Sequence, residues 1–405
     1  VQPPPAARKL RRLLNLAQLT QSHALSFFHL SSPDFLLGWE SDPAKRNVFG
    51  LMAADPELAR AGIRLRQFGQ QLIEQLAGRK IHAAWAVPGG VRTPMTPETA
   101  AWIQQRLPEA EATVRLALEV FQRLLDQQLA EEQRVFGTFD SLFMGLVDDQ
   151  GQWSCIDGLL RLVDSSGAVV ADGLSEDDYA SFLGEAVESW SYLKFPYYKP
   201  LGYPEGMYRV GPLARLNVCE RIGTPWADAE LAAFRARNGT SASGGRIAIS
   251  SFAYHQARLV EIVACLEAIG LLAQDPELQS PHVRSHASLN ANEAVGVSEA
   301  PRGTLFHHYR VDDDGLITRV NLIIATGQNN LAMNRTVAQI ARHYIGPSSL
   351  AEGAEIPEAL LNRVEAGIRC FDPCLSCSTH AAGQMPLRIA LLDAAGRLLA
   401  ERVRD

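Results

Sequence analysis

Three thiols and one imidazole stand close together near the end of the sequence: Cys370, Cys374, Cys377 and His380. Cys374 and Cys377 are two residues apart, a spacing at which a tight turn brings both sulfurs to one side of a metal. Thiolate is a soft ligand, suited to nickel, low-valent iron, zinc and copper(I). Pro373 fixes the backbone just ahead of this pair, and a rigid approach lowers the cost of ordering a site. His380 adds an imidazole or a hydrogen bond to the same neighbourhood. On residue type and spacing alone, several chemistries fit. Cys370, Cys374, Cys377 and His380 formally supply the three sulfurs and one nitrogen of a structural zinc site. The Cys-Leu-Ser-Cys pair also has the form of a redox couple, which would need a strand before it and a helix after it. Nickel or iron is the third option.

The bulk properties set bounds on the rest. The chain has 405 residues, 47% of them hydrophobic and 20% charged, enough to bury a sizeable core across two or three subdomains. Its net charge of −7 gives no reason to expect a nucleic-acid partner. The one basic cluster, Arg8-Lys9-Leu10-Arg11-Arg12, is interrupted by leucine and reads as a solvated helix face. The longest apolar stretch, Leu259 to Ala273, contains Glu261 and Glu267 and is too short and too charged to span a membrane, so it reads as a buried helix. Cys155, Cys219 and Cys265 lie in apolar surroundings and read as core residues.

Helical periodicity dominates the first two-thirds. Helices are expected from Leu10 to Phe28, from Pro56 to Leu76 with Gly78 as the stop, and from Pro97 towards Glu132 with a kink or break at Pro108. Further helices are expected over Asp177–Leu193, Trp226–Arg237 and Phe252–Leu272. Strand patterns appear from Leu142 to Val170, from Thr304 to Ala325 around Asp312-Asp313-Asp314-Gly315, and from Pro386 to Val403. The fold class is mainly α with small β elements (α+β), a long helical-bundle core with peripheral hairpins.

The wider wording around the thiols is more specific than their spacing. Asp372-Pro373-Cys374-Leu375-Ser376-Cys377-Ser378-Thr379-His380, followed by Gly383-Gln384-Met385-Pro386-Leu387, resembles the C-terminal signature of nickel–iron hydrogenase large subunits, in particular the NAD-reducing bidirectional type. Glu299-Ala300-Pro301-Arg302-Gly303 resembles the family's arginine-bearing loop. Gln328-Asn329-Asn330, Ser22-His23-Ala24-Leu25, Val87-Pro88-Gly89-Gly90, Trp190 to Pro196 and Arg209-Val210-Gly211-Pro212-Leu213 fall in the family's order. The similarity runs from about Ala7 to the C-terminus.

This resemblance implies a reversible, heterolytic oxidation of dihydrogen coupled to NAD reduction through partner subunits. It implies Cys374 as a terminal nickel ligand and candidate proton acceptor, and Cys377 as a thiolate bridging nickel and iron. It further implies cyanide and carbon monoxide on the iron, Arg302 reaching over the metals, and Ala325 and Thr326 along the diatomic-ligand pocket. His380 would lie near a bound magnesium or equivalent ion. Cys370 matches no ligand position and reads as a helix-end core thiol. His23, His82, His307 and His308 read as packing residues or, less readily, as steps of a proton path.

The implied organisation is a helical part over 1–140, a β insertion over 141–175, a second helical part over 176–300, a metal-bearing segment over 301–380 and a processing tail over 381–405. Implied partners are a small subunit carrying an iron–sulfur cluster, diaphorase subunits holding NAD and further clusters, a maturation endopeptidase and nickel-insertion chaperones, all in the cytoplasm. The family's N-terminal cysteine pair is absent from these residues, so this chain alone is expected to be inactive, and the tail beyond His380 is expected to be cut after metal insertion. The alternative is a zinc-stabilised, non-catalytic protein on the same fold, related to the quinone-site subunit of respiratory complex I.

Overall fold

The computed structural model describes residues 2–42, 44–191, 193–286, 291–345, 356–374, 387–393 and 395–404. Four long helices form its body. The first, Pro5–Ala24, begins on a proline that needs no hydrogen-bond partner for its nitrogen, and buries Leu10, Leu13, Leu16 and Ala17. It does not stop at Ala24 but widens into a π-helical segment, Leu25–Ser31. Pro56–Ala77 is capped by the Asp55 carboxylate, which accepts from the Leu58 N–H, and ends at Gly78 in the left-handed region (φ +74°). Two glycines let this helix approach its neighbours closely. A Cβ added at Gly69 would lie 2.7 Å from the Ala17 carbonyl oxygen, and one at Gly62 would lie 2.4 Å from the Phe28 ring.

Pro97–Gln127 is the third long helix, and Pro108 does not break it. A proline costs the helix one hydrogen bond and crowds a carbonyl. The apolar stripe of Ile103, Leu107, Ala110, Val114, Ala117, Phe121 and Leu124 runs through the proline without a phase change, so packing on both sides of Pro108 keeps the helix continuous. Tyr254–Ala273 is buried along nearly its whole length, the place of an all-round apolar helix at the centre of a bundle.

The stretch from Asp177 to Leu193 is a correction. Instead of a helix it holds one helical turn, Tyr179–Phe182, and then a strand, Leu183–Val187, paired antiparallel with Lys194–Tyr198. The Phe195-Pro196-Tyr197-Tyr198 run favours extended backbone. Gly184 lies opposite Tyr197 and is needed there: an added Cβ would come within 2.5 Å of the Tyr197 ring. The pairing partner decides the conformation, and periodicity within one segment cannot see it.

Two further sheets position the site. A four-stranded sheet has the order Val169–Leu174, Leu159–Val163, Leu142–Val147, Tyr208–Arg209, the last pair parallel. An antiparallel three-stranded sheet has the order Ile317–Ile323, Gly303–Val311, Glu293–Ala300. The hairpin expected around Asp312–Gly315 is present, but the strand Glu293–Ala300 was not anticipated. A smaller core of Leu142, Met144, Leu160, Tyr208, Phe306 and Ile323 joins these two sheets, beside the large helical core. The C-terminal hairpin pairs Leu387–Leu392 with Leu398–Arg404.

Candidate metal centre

Arg302 owes its place to a tight turn. Ala300 and Gly303 are cross-strand partners, so Pro301 and Arg302 are the two residues of the hairpin connection. Gly303 adopts φ +142°, and a Cβ there would come within 2.3 Å of Val210. The opposing backbone is held as firmly. Asn329 Oδ1 accepts from the Val210 N–H at 3.0 Å, and the Tyr254 hydroxyl donates to the Val210 carbonyl at 2.7 Å. The turn therefore projects Arg302 from a surface with little freedom.

The thiol segment arrives from a separate helix, Glu358–Arg369, which is pinned at its end. Arg369 Nη1 donates to Asp34 Oδ2 at 2.8 Å, and the Cys370 carbonyl accepts from the buried Arg258 at 2.7 Å. The Phe371 ring packs on Tyr254 with centroids 5.1 Å apart. Asp372 then turns the chain at φ +50°, a conformation that aspartate tolerates better than most residues. Its carbonyl accepts from Arg302 Nε at 2.5 Å, and its Oδ1 lies 3.4 Å from Arg302 Nη2. Two residues on, the Cys374 N–H donates to Thr326 Oγ1 at 3.2 Å. Arg302, Thr326 and Cys374, expected together from the sequence, are together, with Ala325 buried beside Thr326. Cys377 and His380 lie outside the described residues.

These residues fit a thiolate-held metal. Cys374 is half-buried, and its thiol, once ionised, is a soft metal ligand. Asp372 Oδ2 is buried without a hydrogen-bond partner, an unsatisfied acceptor at the same spot. Arg302 also lines a cleft of about 980 Å³ with Arg11, Ser22, Arg66, His82 and Ser298. Cys370 does not join them. Its thiol is fully buried, bonds the Ala366 carbonyl of its own helix at 3.4 Å, and is pushed up in pKa by burial, so it stays protonated. A zinc site needing Cys370 as its third thiolate loses that ligand.

Behind the arginine turn sits a buried ionic cluster of Arg215, Glu261 and Glu299, none of which was given a functional role from sequence patterns. Glu261, on the central helix, faces Arg215, whose Nε and Nη2 fork onto its two oxygens, each at 2.6 Å. Trp153 Nε1 and His23 Nε2 complete its hydrogen bonds, each at 2.9 Å. Burial alone would raise the Glu261 pKa, but the charge and forked bonds of Arg215 outweigh it and bring it down to about 2. Glu299 takes a single bond from Arg215, at 2.9 Å, and there burial prevails and raises the pKa. Burial likewise lowers the pKa of His23, keeping its ring neutral. A legible signal existed: a carboxylate within the apolar run Leu259–Ala273 excludes a membrane span, and it also demands a buried cation. Asp372 gave no comparable signal, because its role depends on a turn that packing sets.

The other histidines singled out in the sequence are hydrogen-bonded or exposed. His308 lies 2.9 Å from the Tyr179 hydroxyl and 2.8 Å from Glu293, His307 lies 3.1 Å from the Tyr309 hydroxyl, and His82 is exposed at the cleft. Cys155, Cys219 and Cys265 are buried free thiols, as expected. Among the described residues no helix is long and apolar enough to cross a membrane.

Comparison with known proteins agrees with this geometry. The profile of the nickel-dependent hydrogenase family matches residues 161–380. The chain is 40% identical to the beta chain of the NAD-reducing hydrogenase HoxS of Cupriavidus necator, over 99% of this chain and 81% of that protein. It is 37% identical to a subunit of the F420-non-reducing hydrogenase of Methanothermobacter thermautotrophicus, over 96% and 79%. A crystal structure of an NAD+-reducing nickel–iron hydrogenase in the H2-reduced state superposes with a TM-score of 0.86 at 43% identity, covering 94% of this chain and 81% of that one. The nickel–iron–selenium hydrogenase of D. vulgaris Hildenborough shares the fold, at a TM-score of 0.65 and 21% identity. With both its arginine turn and its thiol segment inside these matches, the chain belongs to the nickel-dependent hydrogenases, as a large, catalytic subunit of the nickel–iron type.

Proposed function

We propose that this subunit oxidises dihydrogen reversibly and passes the electrons to NAD through partner subunits. The observation that carries the reading is the convergence of Arg302 and Thr326 on the backbone around Cys374, from three separate elements. Cys374 and Cys377 would hold nickel and iron from this chain, Cys374 as a ligand to nickel and Cys377 as a ligand shared by the two metals. Once bound, the metal pair, with cyanide and carbon monoxide on the iron, supplies the redox chemistry that splits dihydrogen heterolytically.

The chain's own residues do the rest. Arg302 keeps a permanent positive charge at the site and can hydrogen-bond a cyanide or polarise the substrate. The Cys374 sulfur takes the proton, and Ala325 and Thr326 shape the pocket for the diatomic ligands. His380 would help to hold a magnesium or equivalent ion. Electrons leave through an iron–sulfur cluster in a small subunit, because the described thiols other than Cys374 are buried in the core. The identity to an NAD-reducing hydrogenase chain supports diaphorase partners that hold NAD and further clusters, and a cytoplasmic complex. A nickel-insertion chaperone and an endopeptidase cutting after His380 would complete maturation.

The test is infrared spectroscopy of the purified complex, made with its maturation machinery. Bands in the cyanide and carbon monoxide stretching region are expected, and should vanish in Cys377→Ser. Stoichiometric zinc with no such bands would overturn the reading.

A further inference from the structure

We infer that Arg215 is the positioning residue for Arg302, acting through the two peptide carbonyls that precede it; this rests on the role given to Arg302 above. Arg215 lies in the helix Pro212–Val218 and is fully buried. Beyond its fork on Glu261 and its bond to Glu299, its Nη1 donates to the Ala300 carbonyl at 3.0 Å and its Nη2 to the Pro301 carbonyl at 3.3 Å. Those carbonyls belong to the two residues immediately before Arg302, in a turn of only two residues.

The same segment closes on the other side. Gly211, just before this helix, sits at φ +95° against the Arg302 carbonyl, and an added Cβ would lie 2.7 Å from that oxygen. One junction, Gly211 to Arg215, therefore holds the Arg302 backbone before and after its Cα. Only a guanidinium can fork onto one carboxylate while its remaining N–H groups reach a second carboxylate and two carbonyls; a lysine ammonium has three donors and no fork.

The carboxylates hold the cation in place. Each Glu261 oxygen already accepts two hydrogen bonds, from Arg215 and Trp153 on one side and from Arg215 and His23 on the other. Glu299 Oε1 accepts from the Leu146 N–H and the Thr304 hydroxyl, and its Oε2 from Arg215.

The experiment uses the intact complex carrying Arg215→Lys, Arg302→Lys or both. Arg215→Lys should slow hydrogen oxidation about 10- to 100-fold, the scale expected for displacement of a positioned group, while KM for dihydrogen changes less than about threefold. The double variant should be no slower than Arg302→Lys alone. A crystal structure of Arg215→Lys should show Arg302 Nε out of hydrogen-bond reach of the Asp372 carbonyl. Glu299→Gln covers the case in which Arg215→Lys does not fold: it should cause a smaller loss that again does not add to that of Arg302→Lys. Additive losses, or wild-type turnover with the Arg302–Asp372 bond intact, would overturn the proposal. Wild-type turnover in Arg302→Lys would instead overturn the reading of Arg302, while the crystallographic distance would still decide whether Arg215 positions it.

Discussion

A carboxylate in the middle of a helix that is apolar on every side has to find a cation, and Glu261 finds Arg215. Removing the negative charge leaves a buried guanidinium short of one partner. Glu261→Gln is therefore expected to destabilise the folded chain by about 3–5 kcal/mol, read from urea unfolding. The pH dependence follows from the direction of the shift. The Glu261 pKa is depressed from 4.5 to about 2, so its stabilisation is complete above 4.5 and disappears as pH falls through about 2. His255 works against stability in a nearer window. Its ring is buried against Phe35, Phe121 and Phe252, and neither nitrogen has a hydrogen-bond partner. Burial, helped by Arg258 and Arg369, lowers its pKa well below 6.5. Below 6.5 the unfolded chain takes up a proton that the folded ring refuses, so stability falls as pH falls. His255→Phe should flatten the loss of unfolding free energy between pH 6.5 and about pH 5; an unchanged slope would show that other groups carry it.

Between elements, the decisive feature is how closely backbones approach. Gly62 and Gly69 lie seven residues apart on the Pro56–Ala77 helix, and both face the run of helix that begins at Pro5. At Gly69 the nearest atom is a backbone carbonyl, which cannot swing aside. Gly69→Ala is expected to cost about 1–3 kcal/mol in thermal unfolding, even though alanine is the better helix former. Helices with a continuous stripe and clear caps, such as Pro56–Ala77, were legible in the sequence to within a residue or two. The Leu183–Tyr198 hairpin was not, because Gly184 is intelligible only beside Tyr197, and the strand Glu293–Ala300 has meaning only through its pairing with Gly303–Val311.

For the molecule as a whole, the site is a meeting point of distant segments, so its integrity reports on the entire fold. Mass spectrometry of the metal-loaded complex is expected to find the chain ending at His380, and intact holoprotein still ending at Asp405 would count against removal of the C-terminal hairpin. By itself, the sequence determined the mainly helical class, because helix periodicity is a local property, and through its resemblance to a family signature it determined the family and the candidate residues Cys374, Cys377, His380 and Arg302. Only the tertiary structure decided that Asp372 meets Arg302, and that Arg215, Glu261 and Glu299 lie behind the arginine turn. The physical reason is range. A buried charge announces that it needs a partner, but which residue answers depends on chain segments about 50 to 100 positions apart being packed together, and packing is a property of the whole core.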